Sequence, residues 1–174
     1  MKIRHYKPSD FNEIKFWLHN EREHALWCAG VFPYPLEKFS FERILRKLTA
    51  KNKDIPFVAI VNGKIAGFFC YSINPDTKEG KLKFVILSPV FRNKGYGRKM
   101  ISLFLNNAFA NNTESVELNV FLCNMEAKNC YLRAGFSIRS IIVNAFVFKD
   151  EVWARCNMII KKPNPDNSGK EIAS

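Results

Sequence analysis

Apolar positions recur at helical spacing near the start of the chain, just after a short run, KIRHY, that predicts a first strand. Ser9 or Asp10 is the predicted cap of a helix that runs through about Asn20, and Asp10 and Glu13 have the spacing of a capping box. Residues 21–36 form a polar and aromatic stretch. Helical spacing then returns in a stripe made of Phe41, Ile44, Leu45 and Leu48.

The period changes to that of strands over residues 56–87. Two apolar runs flank Asn62-Gly63, a dipeptide that is a strong hairpin signal. A polar turn, NPDTKEG, then separates the hairpin from a further apolar run, KFVIL, which Pro89 ends. This pattern predicts an antiparallel meander of three strands.

The second half of the chain alternates between the two periods. A helix is predicted from Met100 onward, a strand over SVELNVFL, and a second helix that ends at Gly135. Residues 136–160 predict two long strands joined by a turn. This order predicts one α/β (α+β mixed) domain, residues 1–161, with helices on both faces of a mixed sheet, and residues 162–174 predict a polar, disordered tail.

Composition agrees with a single globular domain, since the chain has 174 residues, of which 47% are hydrophobic. The first ten residues lack the apolar core of a signal peptide and the apolar runs are of strand length, so we expect a cytoplasmic protein without a membrane span. Its five cysteines form no C-x-x-C pair, which favours reduced thiols. His5, His19 and His24 lack the spacing of metal ligands, and we expect no metal.

A net charge of +11 raises the question of nucleic acid binding. Lysine and arginine are spread along the chain, however, and the dense runs at 92–99 and 161–162 lack interleaved aromatic residues for base stacking. Nucleic acid is therefore the weaker alternative. A basic surface also suits a phosphorylated cofactor or an acidic partner.

The segment VFRNKGYGRKM places four cationic side chains around Gly95 and Gly97, between a predicted strand and a predicted helix. Glycine lets the backbone approach a ligand closely, and the free amides at a helix N-terminus bind anions. The segment therefore predicts a phosphate or pyrophosphate site, with a solvated basic turn as the alternative. Neither the Walker pattern nor the dinucleotide fingerprint fits, because Met100 stands where the latter needs glycine.

The pattern R-x-x-G-x-G, Arg92 to Gly97, resembles the cofactor signature of the GNAT acetyltransferase superfamily. A second segment, NMEAKNCYLRAGF, is similar to another motif of that family. Residues 16–36 also resemble a branch of small acetyltransferases, mostly without an assigned substrate, that has a tryptophan-rich entrance. The resemblance covers essentially residues 2–160 and implies the GNAT fold, a mostly antiparallel sheet of six to seven strands that splays apart at the cofactor slot.

The resemblance implies acetyl-CoA as cofactor. The loop amides would hold its pyrophosphate, while the free edge of the preceding strand and an asparagine would bind the pantetheine arm. The residues expected to contact the cofactor are Ile86, Leu87, Arg92, Lys94, Gly95, Tyr96, Gly97, Arg98, Asn124 and Tyr131.

The implied reaction is direct attack of an amine on the thioester, which needs no enzyme nucleophile. Tyr131 resembles the family's general acid for the leaving thiolate, and its alternative role is packing on the sheet. Ribosomal N-terminal acetyltransferases of the superfamily have a glutamate at the place of Asn119, which as an amide is expected to position water or substrate. Candidates for the base are Glu21, Glu23, His24 and Glu79.

The acceptor is expected to be an amine of a small molecule or of a peptide or protein. Glu23, His24, Trp27 and Tyr34 are the predicted acceptor residues, and core packing is the alternative for the aromatic ones. Two other functions stay open, a CoA-binding module with weak catalysis and a basic nucleic-acid binder. A homodimer and a monomer both fit the sequence.

Overall fold

The computed structural model describes residues 1–164, so the predicted tail lies, from residue 165 onward, outside the described residues. The strands are β1 (Lys2–His5), β2 (Ile55–Val61), β3 (Lys64–Ile73), β4 (Glu79–Leu87), β5 (Ser115–Phe121), β6 (Ser137–Phe148) and β7 (Glu151–Lys161). The helices are α1 (Phe11–Ile14), α2 (Glu21–Cys28), α3 (Lys38–Asn52), α4 (Tyr96–Ala110) and α5 (Met125–Arg133), with 3₁₀ turns at Pro8–Asp10 and Pro89–Phe91.

All seven strands form one sheet in the order β1-β2-β3-β4-β5-β7-β6. Every neighbouring pair is antiparallel except β4 and β5, which are parallel. That parallel pairing covers only Glu79–Leu82 against Ser115–Leu118. Beyond these residues the two strands have no ladder between them, so the predicted mixed, splayed sheet is confirmed.

Strand alternation gives each face of the sheet its own core. In β3, Phe69 and Tyr71 pack in the cluster that holds the buried residues of α4 and α5, whereas Phe68 and Cys70 pack in the cluster formed with α1, α2 and α3. Helices therefore cover both faces, as the element order predicts. A third, smaller cluster joins Ala25 of α2 to the ends of β5 and β7.

The hairpin predicted at Asn62-Gly63 is confirmed. It joins β2 to β3, and both turn residues have positive φ, 48° and 77°. That conformation at both central positions is the type I′ turn, whose twist matches that of the flanking strands.

The long first helix predicted through Asn20 is wrong. A 3₁₀ turn starts at Pro8, so Asp10 is its third residue and reaches back to the Lys7 amide (2.8 Å) instead of capping a helix. The helix that follows, α1, ends at Ile14, and α2 begins after Asn20, whose side chain accepts from the Glu23 amide. The polar and aromatic stretch after residue 20 is thus partly helical. Propensity alone does not reveal this break, because a distant side chain, Arg92, binds the Trp17 carbonyl inside it.

A buried carboxylate holds the N-terminal segment in place. Asp10 accepts two hydrogen bonds from Arg4, 2.7 and 2.8 Å long, in addition to the bond from the Lys7 amide. Burial opposes ionisation of Asp10, but these hydrogen bonds outweigh it and lower the pKa of its carboxyl.

We predict that Asp10→Asn lowers the free energy of unfolding by about 1–2 kcal/mol at neutral pH. Because the folded pKa lies below the unfolded value of about 3.9, this contribution is complete above that value and is lost as the pH falls through the folded pKa. Urea unfolding at several pH values should therefore show a difference from the wild type that narrows below about pH 4. Asp76→Asn, in an exposed turn, is the control, and an Asp10→Asn deficit independent of pH would contradict the prediction.

Candidate active site

The loop between β4 and α4 ends in a helix N-terminus that is open to solvent. Gly95 is the N-cap residue of α4, with φ of 76° and ψ of −3°, and no side chain caps the helix. A Cβ built on Gly95 would meet no atom within 4 Å. Glycine is needed there because side-chain-bearing residues rarely adopt this left-handed conformation, and the space above it is free.

The first amides of α4 have no acceptor within the protein. Among residues 1–164, no acceptor lies in hydrogen-bonding geometry with the amides of Tyr96, Gly97 or Arg98, and the first satisfied amide is that of Lys99, which donates to the Gly95 carbonyl (3.1 Å). Such amides, together with the positive end of the helix dipole, form an anion site.

Gly97 has a different role from Gly95. A Cβ at Gly97 would lie 3.1 Å from Cys130 Sγ and 3.2 Å from Leu87 Cδ1. Its missing side chain therefore lets the start of α4 approach both the end of β4 and α5. The two glycines of the motif serve two needs, one conformational and one steric.

Two of the loop's cationic side chains are bound to backbone carbonyls. Arg92 donates from Nη2 to the Trp17 carbonyl (2.7 Å) and from Nε to the Leu87 carbonyl (3.2 Å), and Lys94 Nζ donates to the Val90 carbonyl (2.9 Å). Tyr96 packs edge-on against Phe91, whereas Arg98 is exposed. Arg92 therefore braces the segment between α1 and α2 against β4.

The slot beside this loop is lined by strand edges that have lost their partner. Ile86 and Leu87 pair with β3 on one side, but β5 pairs with β4 only up to Leu82. The edge of residues 83–87 that faces β5 is consequently free of a ladder. An extended ligand with amide groups can pair with such an edge as a strand does.

Helix α5 packs beside the start of α4, where its Cys130 lies next to Gly97, and it carries Asn124 and Tyr131. Asn124 is its N-cap, and its Oδ1 accepts from the Ala127 amide (3.3 Å), which leaves Nδ2 as a donor. Tyr131 follows Cys130, whose Sγ lies near Gly97, and it is 7% exposed. Its hydroxyl has no hydrogen-bond partner within residues 1–164, yet no buried polar side-chain atom there lacks a partner, so the hydroxyl reaches solvent-accessible space.

The environment of Tyr131 keeps its hydroxyl protonated. Burial raises the pKa of Tyr131 above its ordinary value, and the neighbouring Cys130 acts in the same direction. A protonated phenol that is not engaged elsewhere is suited to donate a proton.

Asn119 lies on the face of β5 opposite to Val116, Leu118 and Val120, in a polar group that the sequence did not indicate. Its Oδ1 accepts from Asn157 Nδ2 of β7 (3.2 Å), and the same nitrogen lies 3.2 Å from Glu117 Oε2. Glu117 and Asn119 share a face because they are two residues apart in a strand. The two-residue spacing from Asn119 in a predicted strand is the sequence feature that places Glu117 beside it.

Glu117 is ionised but firmly held. Burial opposes its ionisation, but its contacts with Lys81 (2.7 Å), Asn157 and Arg139 (3.6 Å) outweigh it and lower the pKa of the carboxyl. A carboxylate stabilised in this way is a weak proton acceptor.

The candidate bases on α2 are also engaged. Glu21 forms an ion pair with Lys149 (2.9 Å), and Glu23 Oε2 lies 4.0 Å from Arg92 Nη1. His24 is 3% exposed, and burial lowers its pKa so that it is neutral at pH 7. Glu79 starts β4 at the end where β4 and β5 are paired, eight residues before Leu87, and this distance removes it as a base.

The predicted acceptor residues are only partly brought together. The rings of His24 and Tyr34 are in edge contact, with centroids 5.4 Å apart, and Tyr34 is exposed. The Trp27 ring is also in edge contact with His24, with centroids 5.9 Å apart. Trp27 stacks on Phe32 as well, and its Nε1 donates to the Phe84 carbonyl of β4 (2.8 Å). Within residues 1–164, no three His, Cys, Asp or Glu side chains form a cluster that could bind a metal ion. None of the helices in that range has the length and apolar composition of a membrane span.

The sheet thus opens beside a helix N-terminus whose free amides can bind an anion, which suits an extended ligand that carries phosphate. The sequence matches the profile of the acetyltransferase (GNAT) family over residues 9–136, and the chain belongs to that family. It is an acyltransferase, and its cofactor is acetyl-CoA. Membership of the GNAT family and acetyl-CoA as cofactor, both expected from the two sequence motifs, are confirmed.

Solved structures show the same fold. A spermidine N-acetyltransferase from Vibrio cholerae, solved with CoA and spermine, has a TM-score of 0.76 and 22% identity, over 92% of this chain and 94% of that one. An N-acetyltransferase from Staphylococcus aureus Mu50 has a TM-score of 0.69 and 15% identity, over 92% of this chain and 97% of that one. Because both sequence identities are low, these similarities show a common fold and nothing beyond it.

We predict that Gly95→Ala weakens CoA binding at least tenfold, because it strains the backbone that presents the free amides. Gly63→Ala is a matched control, since Gly63 has nearly the same φ, 77°, and equally open surroundings in a distant hairpin. Each substitution should lower the unfolding free energy by about 1–2 kcal/mol. Calorimetric titration with CoA should separate them, and equal affinities for the two variants would contradict a role for Gly95 in binding.

Proposed function

We propose that this protein transfers an acetyl group from acetyl-CoA to a primary amine of a small molecule or peptide, by direct attack within a ternary complex. The observation that carries the proposal is the open edge of β4 next to the unsatisfied amides of α4. The Vibrio cholerae structure, a spermidine N-acetyltransferase, supports an amine as acceptor. Acetyl-CoA supplies an acetyl group already activated as a thioester.

The residues present fit this cofactor. The amides of Tyr96, Gly97 and Arg98 are free to bind phosphate oxygens, and the space above Gly95 is open. The edge of Ile86 and Leu87 and the Nδ2 donor of Asn124 match the amide groups of a pantetheine arm. Arg92 then contributes mainly by fixing the end of β4, because its donors already bind the Leu87 and Trp17 carbonyls.

We assign the general acid to Tyr131 and the positioning of water or acceptor to Asn119. The Tyr131 hydroxyl has no partner within the described chain and stays protonated, so it has a proton to give to a leaving thiolate. Asn119 Oδ1 accepts from Asn157, and its Nδ2 has no acceptor among residues 1–164, so that it can donate to a water or to the acceptor. With Glu21 and Glu117 held in ion pairs, a water bound at Asn119 is the proposed first acceptor of the amine proton.

A second function has one observation in its favour. Asn119, an amide, stands where a carboxylate base acts in related enzymes, as expected for a CoA-binding module without efficient catalysis. Thermal unfolding with acetyl-CoA tests both functions, since each requires stabilisation by the cofactor. Thiol release with a panel of amines, including spermidine and N-terminal peptides, separates them, because only the enzyme shows turnover. A nucleic-acid binder would respond to neither reagent.

We predict that Tyr131→Phe lowers kcat about 100-fold or more, the usual contribution of a general acid, while the affinity for CoA is retained. Tyr71→Phe is the control, since Tyr71 is also buried and its hydroxyl bonds to Thr113, away from α5. Steady-state rates and CoA titration give the two quantities. Normal turnover of Tyr131→Phe across the pH range would show that the acid assignment is wrong.

For the assembly, we propose a homodimer formed by pairing of two β6 strands. Among the described residues β6 is one of the two edge strands of the sheet, and Ile138, Ile141, Ile142, Val143 and Val147 are exposed on it. An exposed apolar edge favours pairing with another strand, on either side of the irregularity between Ile142 and Phe146. Its single charged residue, Arg139, already contacts Glu117, so two copies related by a twofold axis meet without repulsion.

This proposal predicts that Val143→Lys shifts the protein from dimer to monomer, because it places a charge from each copy in an apolar interface. Phe39→Lys, an equally exposed apolar position on α3, should leave the dimer intact. Light scattering after size-exclusion chromatography measures the mass. A monomeric wild type, or a dimer unaffected by Val143→Lys, would contradict the proposal.

A further inference from the structure

Strand β4 contains a bulge in its second half. Cys70 of β3 pairs with Lys83, and Phe68 pairs with Ile86, so a two-residue step in β3 faces a three-residue step in β4. Inside the bulge Phe84 has φ of 52°, a left-handed conformation that is sterically disfavoured for phenylalanine. Such a conformation persists only where neighbouring groups hold it.

Two polar contacts hold the bulge, each from a separate part of the chain, and the Phe84 ring packs against Phe32 and Trp27. The indole Nε1 of Trp27, in α2, donates to the Phe84 carbonyl at 2.8 Å. Lys83, the residue before Phe84, forms a 2.6 Å ion pair with Asp54, whose side chain is 1% exposed. The Trp27 ring itself is fixed by stacking on Phe32, with centroids 5.3 Å apart and planes at 12°.

The bulge lies at the point where the sheet opens. The last pair between β4 and β5 joins Leu82 to Leu118, and the bulge begins with the next residue. A bulge bends its strand and increases the local twist, and it interrupts pairing. The direction taken by Ile86 and Leu87, and so the geometry of the free edge, follows from the conformation at Phe84.

We infer that Trp27 is a positioning residue for the cofactor slot: its indole N–H fixes the bulge at Phe84 and thereby sets the edge that receives the pantetheine arm. The inference rests on the proposed function and assigns to Trp27 a role other than lining the acceptor site. Without the N–H, the Phe84 carbonyl loses its bond, and its strained backbone is released. The free edge then takes several conformations, and CoA binds only the open one.

Trp27→Phe tests the inference, because it removes the N–H and retains an aromatic ring. The loss of one buried neutral hydrogen bond predicts CoA binding that is about 3- to 10-fold weaker in calorimetric titration. Hydrogen exchange of the amides at 84–87 should be faster in the variant without cofactor. Replacing Trp27 by benzothienylalanine, which has the shape of tryptophan but no N–H, gives the same test if Trp27→Phe does not fold.

Tyr71→Phe is the matched control. It also removes one buried donor and retains the ring, since the Tyr71 hydroxyl bonds to Thr113 (2.8 Å), and Tyr71 packs in the core on the face of the sheet opposite to Trp27. Loss of this hydroxyl should leave both CoA affinity and exchange at 84–87 unchanged. Unchanged CoA affinity and exchange in Trp27→Phe would overturn the inference, and so would equal effects of the two substitutions.

The two proposals fail in different ways. If the wild-type protein gives no heat with CoA, the proposed function is wrong. Exchange at 84–87, measured without cofactor, then still decides whether Trp27 holds the bulge. If the wild type binds CoA and Trp27→Phe binds equally well with rapid exchange at 84–87, the bulge does not govern the slot and the inference is overturned.

Discussion

The parallel pairing of β4 and β5 is the constraint on which this structure depends. It ends after four residue pairs, and the strands then separate although both continue. Backbone groups in a sheet interior normally require partners, so a separation of this kind is stable only if the freed groups face solvent or a ligand. The seven-stranded sheet is thus built around a gap in its hydrogen bonding, and the helices on either face keep that gap from closing.

Two long-range hydrogen bonds tie the gap to the first 30 residues of the chain. Arg92 links the end of β4 to Trp17, and Trp27 links the bulge in β4 to α2. On the other side of the slot, the bidentate pair of Arg22 with Glu151 holds the same helix to β7, the neighbour of β5. The segment that faces the expected acceptor side is therefore fixed to β4 and to β7, one on each side of the slot, which couples acceptor geometry to cofactor geometry.

Local sequence signals predicted most of the fold and the loop with its uncapped helix start. The Asn62-Gly63 hairpin and the helix after Gly97 were predictable because their cause lies within a few residues. The break between α1 and α2 was not, because it depends on Arg92, 75 residues away from Trp17. The contact of Trp27 with Phe84 joins residues 57 positions apart, so no periodic pattern in the sequence indicates it. Glu117 belongs to neither of the two sequence motifs, so that its place beside Asn119 was not predicted.

The basic loop also shows why a charge count does not identify a ligand site. Of its four cationic side chains, Arg92 and Lys94 bind carbonyls of the protein, while Arg98 and Lys99 are exposed. The groups that distinguish the loop are instead its backbone amides, because Gly95 leaves the helix start uncapped and uncovered. Main-chain donors fix the position and direction of a bound anion. Exposed cations such as Arg98 and Lys99 add a general attraction for anions, which dissolved salt screens. The net charge of +11 then serves encounter with a polyanionic cofactor, and the glycines serve recognition.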